Sequence, residues 1–134
     1  MKYRAPFNVL GDLYGSTVNR PHPHRGVDYP VAKGSKIRAV ATGTIVDVTW
    51  NDALGNVVVL LDQAGIYWGF CHLDATAKGI RAGKRVFRGA LLGTVGQTGT
   101  AATGPHLHLT ASQTAHGYMV GLTLDPLKVM KGIK

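Results

Sequence analysis

The chain has 134 residues, of which 45% are hydrophobic, and a formal net charge of +8. A single domain of this length buries about two-thirds of the surface of its unfolded chain, so it needs no disulfide. One cysteine excludes a disulfide framework and a cysteine-rich zinc site, and 18 glycines between short apolar runs exclude a helical bundle. The 15 lysines and arginines against seven acidic residues favour an anionic partner, such as nucleic acid, a membrane face or an acidic cell wall.

Residues 1–20 contain few regular signals and predict an irregular N-terminal segment of one domain that covers residues 1–134. The basic start is followed by Gly11 and Asp12 before any apolar core of a signal peptide, so we expect no secretory signal and synthesis in the cytoplasm. The longest apolar run, residues 57–61, is far shorter than the ~20 residues of a membrane span, which predicts that the chain does not cross a membrane.

Three prolines and a glycine within residues 21–30 exclude a stable helix, because proline lacks an N–H and restricts the residue before it. We predict an ordered loop, or an edge strand that begins near Gly26. His24 and Asp28 lie four residues apart in it, and a tight turn brings such a pair together either as zinc ligands or as a simple hydrogen-bonded pair. His22 is a surface or groove-lining histidine in one interpretation and an alternative ligand in the other.

After residue 30 the chain consists of short β-branched and apolar runs bounded by turn residues, which predicts strands. The predicted strands cover residues 36–40, 43–50, 56–61, 66–72 and 91–95, with Val86 in a further short one. Segments of helical period are limited to about a turn at residues 74–78 and 126–130. The predicted fold class is therefore mostly β, a single domain built on antiparallel sheet with little helix.

Cys71 and His72 are neighbours in the predicted strand 66–72. A cysteine nucleophile needs a base within hydrogen-bond reach, but adjacent strand residues point to opposite faces, so these two side chains do not serve each other. We therefore interpret Cys71 as a packed, inert thiol. The same alternation turns His72 away from the Cys71 side, where it can join the face of His106 and His108.

Residues 103–109 carry two histidines separated by one residue, after a glycine-rich loop at residues 96–103. In an extended strand alternate side chains leave the same face roughly 6.5 to 7 Å apart, so His106 and His108 face a common point while Leu107 enters the core. By itself this pattern is more often a pair of half-exposed sheet histidines than a pair of ligands.

Four histidines and one aspartate are thus candidates for one site, namely His24, Asp28, His72, His106 and His108. A hydrolytic zinc centre uses three protein ligands and keeps one position for water, whose pKa the metal lowers from about 15.7 to about 7. Five candidates fit three ligands and two residues that move protons, whereas a structural zinc site has four ligands. The spacing does not decide which of His106 and His108 binds metal.

Two of these segments resemble signatures of one known family. Residues 24–28 match the H-x-G-x-D signature of lysostaphin-type (LytM-like) peptidoglycan endopeptidases, and residues 104–108 match their G-P-H-L-H signature. Further segments match the same family in the same order, at residues 34–46, 54–58, 71–73, 91–99 and 125–127. The resemblance covers roughly residues 20–130 and departs from the family pattern at Leu109 and Thr110, positions that affect strand packing more than chemistry.

The resemblance implies a LytM-like β-sandwich and a zinc metalloendopeptidase that hydrolyses a peptide bond in the stem peptide or cross-bridge of bacterial peptidoglycan. It implies one Zn²⁺ held by His24, Asp28 and His108, with His72 and His106 as the catalytic histidines. One carboxylate and two neutral imidazoles leave such a site with net positive charge, which polarises a peptide carbonyl. In these roles His106 accepts a proton from water, and His72 stabilises the oxyanion or protonates the leaving amine.

The partners that the resemblance implies are peptidoglycan and, through the basic surface, an anionic wall polymer. A catalytic domain that fills a chain without a signal peptide indicates a phage lysin, released by a holin or delivered with the virion, and we expect a monomer. The alternative is a catalytically inactive LytM-like module that activates an amidase or forms a structural tail part, although such modules typically lack the ligands that this chain retains. A nucleic-acid-binding β-barrel is disfavoured, because no aromatic residues alternate with the basic ones.

The remaining histidine and three aromatic residues have two interpretations each. His116 lies in a predicted loop, near a substrate groove at most. Tyr29, Trp68 and Tyr118 are groove walls or core aromatics, and the core interpretation is favoured.

Overall fold

Strands form most of the regular structure in the computed structural model, which describes residues 3–18, 20 and 22–132. Within these residues the strands are β1 (Val27–Tyr29), β2 (Lys36–Arg38), β3 (Gly43–Asn51), β4 (Gly55–Asp62), β5 (Tyr67–Thr76), β6 (Arg85–Val86), β7 (Leu91–Val95), β8 (Leu107–Ser112) and β9 (Thr123–Leu124). Two short helices lie near the C-terminus, α1 (Gly117–Val120) and α2 (Pro126–Met130). The predicted mostly β class with antiparallel pairing and little helix is confirmed.

The predicted helical turns agree with the structure at one place and not at the other. At the C-terminal end the helix is confirmed as α2, where the Asp125 side chain accepts a hydrogen bond from the backbone N–H of Leu127 at 3.0 Å and Pro126 begins the helix. The helical turn predicted at residues 74–78 is wrong. There the chain continues β5 to residue 76 and pairs with β7, so long-range pairing overrides a weak local pattern.

The main sheet runs in the order β1-β8-β5-β4-β3-β6, and every pair in it is antiparallel. One of its faces is apolar because alternate side chains point the same way, as with Trp68 and Phe70 on β5 and Leu107 and Leu109 on β8. All four are completely buried. Complete burial of one such side chain contributes about 1.5–3 kcal/mol, so this face dominates the core.

A second layer covers that apolar face. β2 and β7 pair with each other, and β7 also joins the end of β5. Ile37 of β2 and Leu92 of β7 are completely buried in the same cluster as Trp68 and Phe70. Two layers around one core make the sandwich that the family resemblance implies.

The N-terminal segment has no helix or strand in its described residues, as predicted, but it is tied to the edge of the sheet. The backbone N–H of Gly11 donates to the carbonyl of Asp28 at 2.8 Å, and the N–H of Asp28 donates to the carbonyl of Asp12 at 3.0 Å. The N–H of His24 donates in the same way to Ser16 at 2.8 Å. These bonds hold the segment beside β1 and fix the loop that carries His24.

Two of the three aromatic residues with open interpretations belong to the core. Tyr29 and Trp68 are completely buried, so the groove-wall interpretation is wrong for both. Tyr118 is 5% exposed, packs with Cys71 in a smaller cluster and also borders the cavity described below. No helix in the described part of the chain has the length and apolarity needed to cross a lipid bilayer.

Candidate metal centre

The strand register brings an aspartate, a histidine and a cysteine to one face of the sheet. Asp28 on β1 lies opposite His108 on β8, and His108 lies opposite Cys71 on β5. Residues directly opposite each other on antiparallel strands share a face, so these three side chains point away from the main core. Cys71 is completely buried beneath the site, and burial raises the pKa of its thiol, as expected for an inert packed cysteine.

His24 reaches the same face from the loop before β1, and Gly26 makes this possible. A Cβ atom on Gly26 would collide with the carbonyl oxygen of Leu109 and would lie 2.9 Å from Cε1 of His108. The chain therefore passes β8 so closely that only glycine fits. This contact gives the H-x-G-x-D pattern a physical reason, because the glycine lets the residues on either side of it approach His108.

Three ligand atoms converge at this face. Nε2 of His24 lies 3.1 Å from Nδ1 of His108 and 3.2 Å from Oδ1 of Asp28, and the last two atoms are 3.0 Å apart. Among the described residues, these three form the one group of histidine, cysteine and acidic side chains with metal-ligand spacing. Tetrahedral ligands with bonds of about 2.0 Å stand about 3.3 Å apart, so movements of a few tenths of an ångström would suffice to hold an ion.

The hydrogen bonds and charges of the three residues fit a cation between them. Nδ1 of His24 lies 3.1 Å from the carbonyl oxygen of Leu13, which only accepts, so this nitrogen carries the proton and Nε2 presents its lone pair to the cluster. Burial acts to raise the pKa of Asp28, but hydrogen bonds and charges from His108 and His24 outweigh it and hold the pKa well below its usual range. Burial also lowers the pKa of His108, which favours its neutral form.

Two imidazoles and one carboxylate are a donor set that zinc accepts, with one coordination position left for a non-protein ligand. The residues present therefore fit the one Zn²⁺ that the family resemblance implies. The structure brings together the three predicted ligands, His24, Asp28 and His108.

His106 lies beside this cluster without joining it. Its Nε2 is 3.7 Å from Oδ1 of Asp28, and its Nδ1 is 2.8 Å from the carbonyl oxygen of Gly104. Because that carbonyl only accepts, Nδ1 donates and Nε2 of the neutral ring is free to accept a proton. His106 directly precedes β8, while Leu107 enters the core as predicted.

His72 reaches the site by a route that strand alternation does not predict. Val58 pairs with Phe70 and Asn56 pairs with Leu73, so Cys71 and His72 together oppose Val57 in a β-bulge. His72 has a φ of 65°, the one positive value among the described non-glycine residues.

Strand alternation predicts that Cys71 points away from the face of His108 and that His72 therefore shares that face. The structure agrees about His72 but not about Cys71, so the reason for the prediction is wrong. Cys71 itself is on the His108 face, and the bulge turns His72 towards it. The ring centroids of His72 and His106 are 4.7 Å apart, and those of His72 and His108 are 6.0 Å apart.

The glycine-rich loop holds His72 in place. Nδ1 of His72 donates to the carbonyl oxygen of Thr98 at 2.6 Å, and burial is the main cause that lowers the pKa of His72 to about 4. The Thr98 hydroxyl accepts from the N–H of Asn56 at 3.1 Å and donates to the carbonyl of Leu73 at 2.8 Å. A Cβ on Gly99 would collide with the backbone at Ala53, so the loop lies directly on the β3–β4 turn.

All five candidate residues border one open cavity of about 420 Å³. Its walls also include Arg20, Arg25, Asn51, Thr103, Tyr118 and Met119. The sequence gives no signal for the two arginines, because their role depends on which loops meet across the cavity. Arg20 contacts Oδ2 of Asp12 at 2.7 Å and Oδ2 of Asp28 at 3.5 Å, so it holds the side of the Asp28 carboxylate that faces away from the histidines.

The other two histidines lie outside the cluster. His22 borders the cavity as an exposed residue, and its Nδ1 donates to the carbonyl of Pro23 at 3.0 Å. It is not among the three residues with ligand spacing, which favours the groove-lining interpretation. His116 is exposed at the N-terminus of α1 and is not among the residues that border the cavity.

Three candidate ligands, two buried histidines and a half-buried aspartate, border an open cavity and leave one coordination position unfilled, which is the arrangement of catalytic rather than structural zinc sites. A family profile for "Peptidase family M23" matches residues 22–120, and the chain belongs to this family. It resembles lysostaphin-type members of that family, as predicted.

Curated relatives support this membership over most of the chain. The glycyl-glycine endopeptidase ALE-1 of Staphylococcus capitis is 32% identical over 81% of this chain and 29% of its own length. The peptidoglycan DD-endopeptidase ShyC of Vibrio cholerae is 35% identical over 78% of this chain and 25% of its own length. The chain thus spans less than a third of either relative.

Solved structures show the same architecture. The catalytic domain of lysostaphin from Staphylococcus simulans aligns with 96% of this chain and 92% of that chain at a TM-score of 0.78 and 27% identity. The catalytic domain of the prophage-encoded M23 protein EnpA from Enterococcus faecalis aligns with 88% of each chain at a TM-score of 0.74 and 26% identity.

Proposed function

We propose that this protein is a zinc-dependent endopeptidase that hydrolyses a peptide bond in the stem peptide or cross-bridge of bacterial peptidoglycan. The observation that carries this proposal is the convergence of His24, Asp28 and His108 within 3.2 Å of one another in the same cavity as two further imidazoles. The relatives named as a glycyl-glycine endopeptidase and a peptidoglycan DD-endopeptidase support the substrate class.

Each residue of the cluster has a role in this proposal. His24, Asp28 and His108 hold one zinc ion, which supplies Lewis-acid polarisation of a peptide carbonyl when it is bound. Arg20 and the carbonyl of Leu13 orient Asp28 and His24 as outer partners.

His106 and His72 move the protons. Nε2 of His106 accepts a proton from water while the water oxygen bonds to the carbonyl carbon of the substrate. The bond between that carbon and the amide nitrogen then breaks, and the nitrogen leaves as an amine with the transferred proton. His72 is fixed at Thr98 through Nδ1, and its ring lies 4.7 Å from that of His106 in the same cavity. Because burial keeps His72 neutral, it donates to the oxyanion or to the leaving amine only after Nε2 has received the proton that His106 took from water.

The alternative is a catalytically inactive module that activates an amidase or forms a tail part. Loss of at least one of the five site residues is expected of such a module, because ligand geometry is not needed for a contact surface. This chain keeps all five in one cavity, which favours the enzyme.

We propose further that the protein acts as a phage lysin. In this role it acts as a monomer, and its basic surface faces an anionic wall polymer. The neighbour described as prophage-encoded supports the phage role. Cytoplasmic expression with and without a holin tests it, since lysis is expected only when the holin is present. Lysis without a holin would contradict this route.

Purified wall material tests the proposed activity. The zinc-loaded protein is expected to release new amino groups from isolated peptidoglycan, and a chelator is expected to abolish the release. His24→Ala is the matched variant, because it removes one ligand outside the proton-transfer pair. Cleavage by His24→Ala without bound metal would overturn the proposal, and mass spectrometry of the fragments identifies the bond that is cut.

A further inference from the structure

The cavity of the metal centre contains two arginines in different electrostatic situations. Arg20 is paired with Asp12 and contacts Asp28. Arg25 has no ion pair or hydrogen bond with any described residue. Among the described residues that border the cavity, Asp28 is the one acidic side chain, and its Oδ1 is already in contact with His24 and His108. Arg25 therefore adds a positive charge that the protein itself does not neutralise.

Arg25 is held in place by packing rather than by a partner. The residue is half-buried. A Cβ on Gly121 would lie 2.9 Å from Nε and 3.0 Å from Cζ of Arg25, so the guanidinium lies directly against the backbone that ends α1. A planar guanidinium held in this way is preorganised to donate two parallel hydrogen bonds to a carboxylate.

The position of Arg25 limits where such a carboxylate can be. Arg25 follows His24 directly, so the Cα atoms of the two residues are about 3.8 Å apart. His24 belongs to the metal cluster, and both side chains border the same cavity. A peptide whose reacting carbonyl lies at the metal cluster therefore has room in the same cavity to present a carboxylate of a neighbouring residue to Arg25.

We infer that Arg25 binds a free carboxylate of the peptide substrate next to the bond that is cut. This inference rests on the proposed endopeptidase function and narrows its substrate class. The preferred substrate is a stem peptide with an unblocked carboxylate near the cut bond, such as the α-carboxylate of a γ-linked D-glutamyl residue. Uncharged glycine cross-bridges and stems in which that carboxylate is amidated are the disfavoured substrates.

Equilibrium binding separates this inference from catalysis. The probes are two peptides with a γ-linked D-glutamyl residue, capped at other ionisable ends, which differ only in a free or amidated α-carboxyl group. Zinc-loaded His106→Ala protein is expected to bind the free-carboxylate peptide about 10- to 100-fold more tightly, and the added change Arg25→Gln is expected to remove that difference. Arg25→Lys keeps the positive charge but loses the planar guanidinium that donates two parallel hydrogen bonds. This variant is expected to retain only part of the preference for the free carboxylate.

A charge-matched variant controls for general attraction to acidic ligands. Arg81 is exposed, donates to the carbonyl of Gly79 and does not border the cavity. Arg81→Gln changes the net charge as Arg25→Gln does, and is expected to keep the preference. Equal binding of the two peptides, or an equal loss in both glutamine variants, would overturn the inference.

A second pair of variants displaces the guanidinium without changing any charge. Gly121→Ala places a methyl group against Arg25 and is expected to reduce the preference for the free carboxylate. Gly34→Ala is the control, because Gly34 shares a left-handed φ but faces open space. An unchanged preference in Gly121→Ala, with zinc still bound, would show that the position of Arg25 does not matter.

Cleavage assays on whole peptidoglycan test the carboxylate preference of Arg25 separately from the endopeptidase activity. Walls with free stem carboxylates are expected to be cut with a lower KM than walls with amidated stems or glycine cross-bridges. Cleavage of all three walls with the same KM would overturn the inference and leave the endopeptidase proposal standing. Cleavage of none, with the binding preference intact, would overturn the endopeptidase proposal alone.

Discussion

His72 is the residue at which local strain and the proposed chemistry coincide. A left-handed backbone costs a non-glycine residue about 1–2 kcal/mol, and His72 adopts one with a φ of 65°. Strain at this position is maintained by the Thr98 contacts, which is common at functional sites.

Two substitutions at His72 separate strain from chemistry. His72→Ala and His72→Gly are both expected to lower kcat by about 100-fold or more, because each removes the imidazole. His72→Gly is expected to unfold with a free energy about 1 kcal/mol higher than that of His72→Ala, since glycine adopts the positive φ freely. Denaturant titration measures this difference in the free energy of unfolding, with zinc content checked to be the same in both variants. Equal stability of the two variants would contradict the proposal that the backbone at His72 is strained.

Tyr29 has a buried hydroxyl group with no hydrogen-bond partner among the described residues. An unsatisfied buried polar group costs about 1–3 kcal/mol, so Tyr29→Phe is expected to raise the free energy of unfolding by about 1 kcal/mol at neutral pH. Tyr67→Phe, at a half-buried tyrosine, is the control with little expected change.

Alkaline unfolding gives a second measurement at Tyr29. Burial raises the pKa of Tyr29 to about 12 from an ordinary value of 10.0. The folded state therefore holds this proton more tightly, and the resulting stability is complete below pH 10 and is lost as the pH rises from 10 through 12. Tyr29→Phe is expected to lose less stability across this window than wild type. An equal loss in both proteins would contradict the assignment.

At the scale of elements, the close passage of the loop before β1 against β8 determines the geometry of the cluster. Gly26→Ala would force its methyl group against the carbonyl of Leu109 and the ring of His108. We expect a loss of about 2 kcal/mol or more in the free energy of unfolding and weaker zinc binding, because overpacking displaces β1 from β8.

Gly104 offers a matched control for this change. A Cβ on Gly104 meets nothing within 4 Å, so Gly104→Ala is expected to change the free energy of unfolding by less than about 1 kcal/mol. Similar losses of the free energy of unfolding in Gly26→Ala and Gly104→Ala would show that the close contact with β8 is not the reason why residue 26 must be glycine.

Strand periodicity predicts most of this fold but not the bulge that places His72. Alternation works on β8, where Leu107 enters the core and His108 points to the site. It fails at His72 because the bulge depends on how β4 pairs with β5, a contact between separate segments. Helix α1 was not predicted either, since its four residues begin with glycine and are too few to show a period.

At the scale of the whole molecule, the cluster joins segments that are 84 residues apart in sequence. Spacing alone left open whether His106 or His108 is the ligand, and the family resemblance supplied the assignment. The structure favours the same choice, because His108 is in register with Asp28 whereas His106 precedes β8. The sequence does not identify Arg25, since its lack of a partner among the described residues is visible only once the cavity walls are assembled.

Zinc is expected to stabilise the folded protein, because an unfolded chain does not hold the three ligands together. At a free zinc concentration about 100 times the Kd, the gain is about 2.7 kcal/mol. Thermal unfolding with zinc and with a chelator measures it, and the difference is expected to vanish in His24→Ala. A zinc-dependent shift of equal size in that variant would place the ion elsewhere.

The most direct test of the metal centre is the zinc content of purified variants after dialysis, with folding checked by circular dichroism. We expect one zinc ion per chain in wild type and in His106→Ala, and none in His24→Ala, Asp28→Ala or His108→Ala. Retention of zinc by folded His108→Ala, or its loss from folded His106→Ala, would contradict the account.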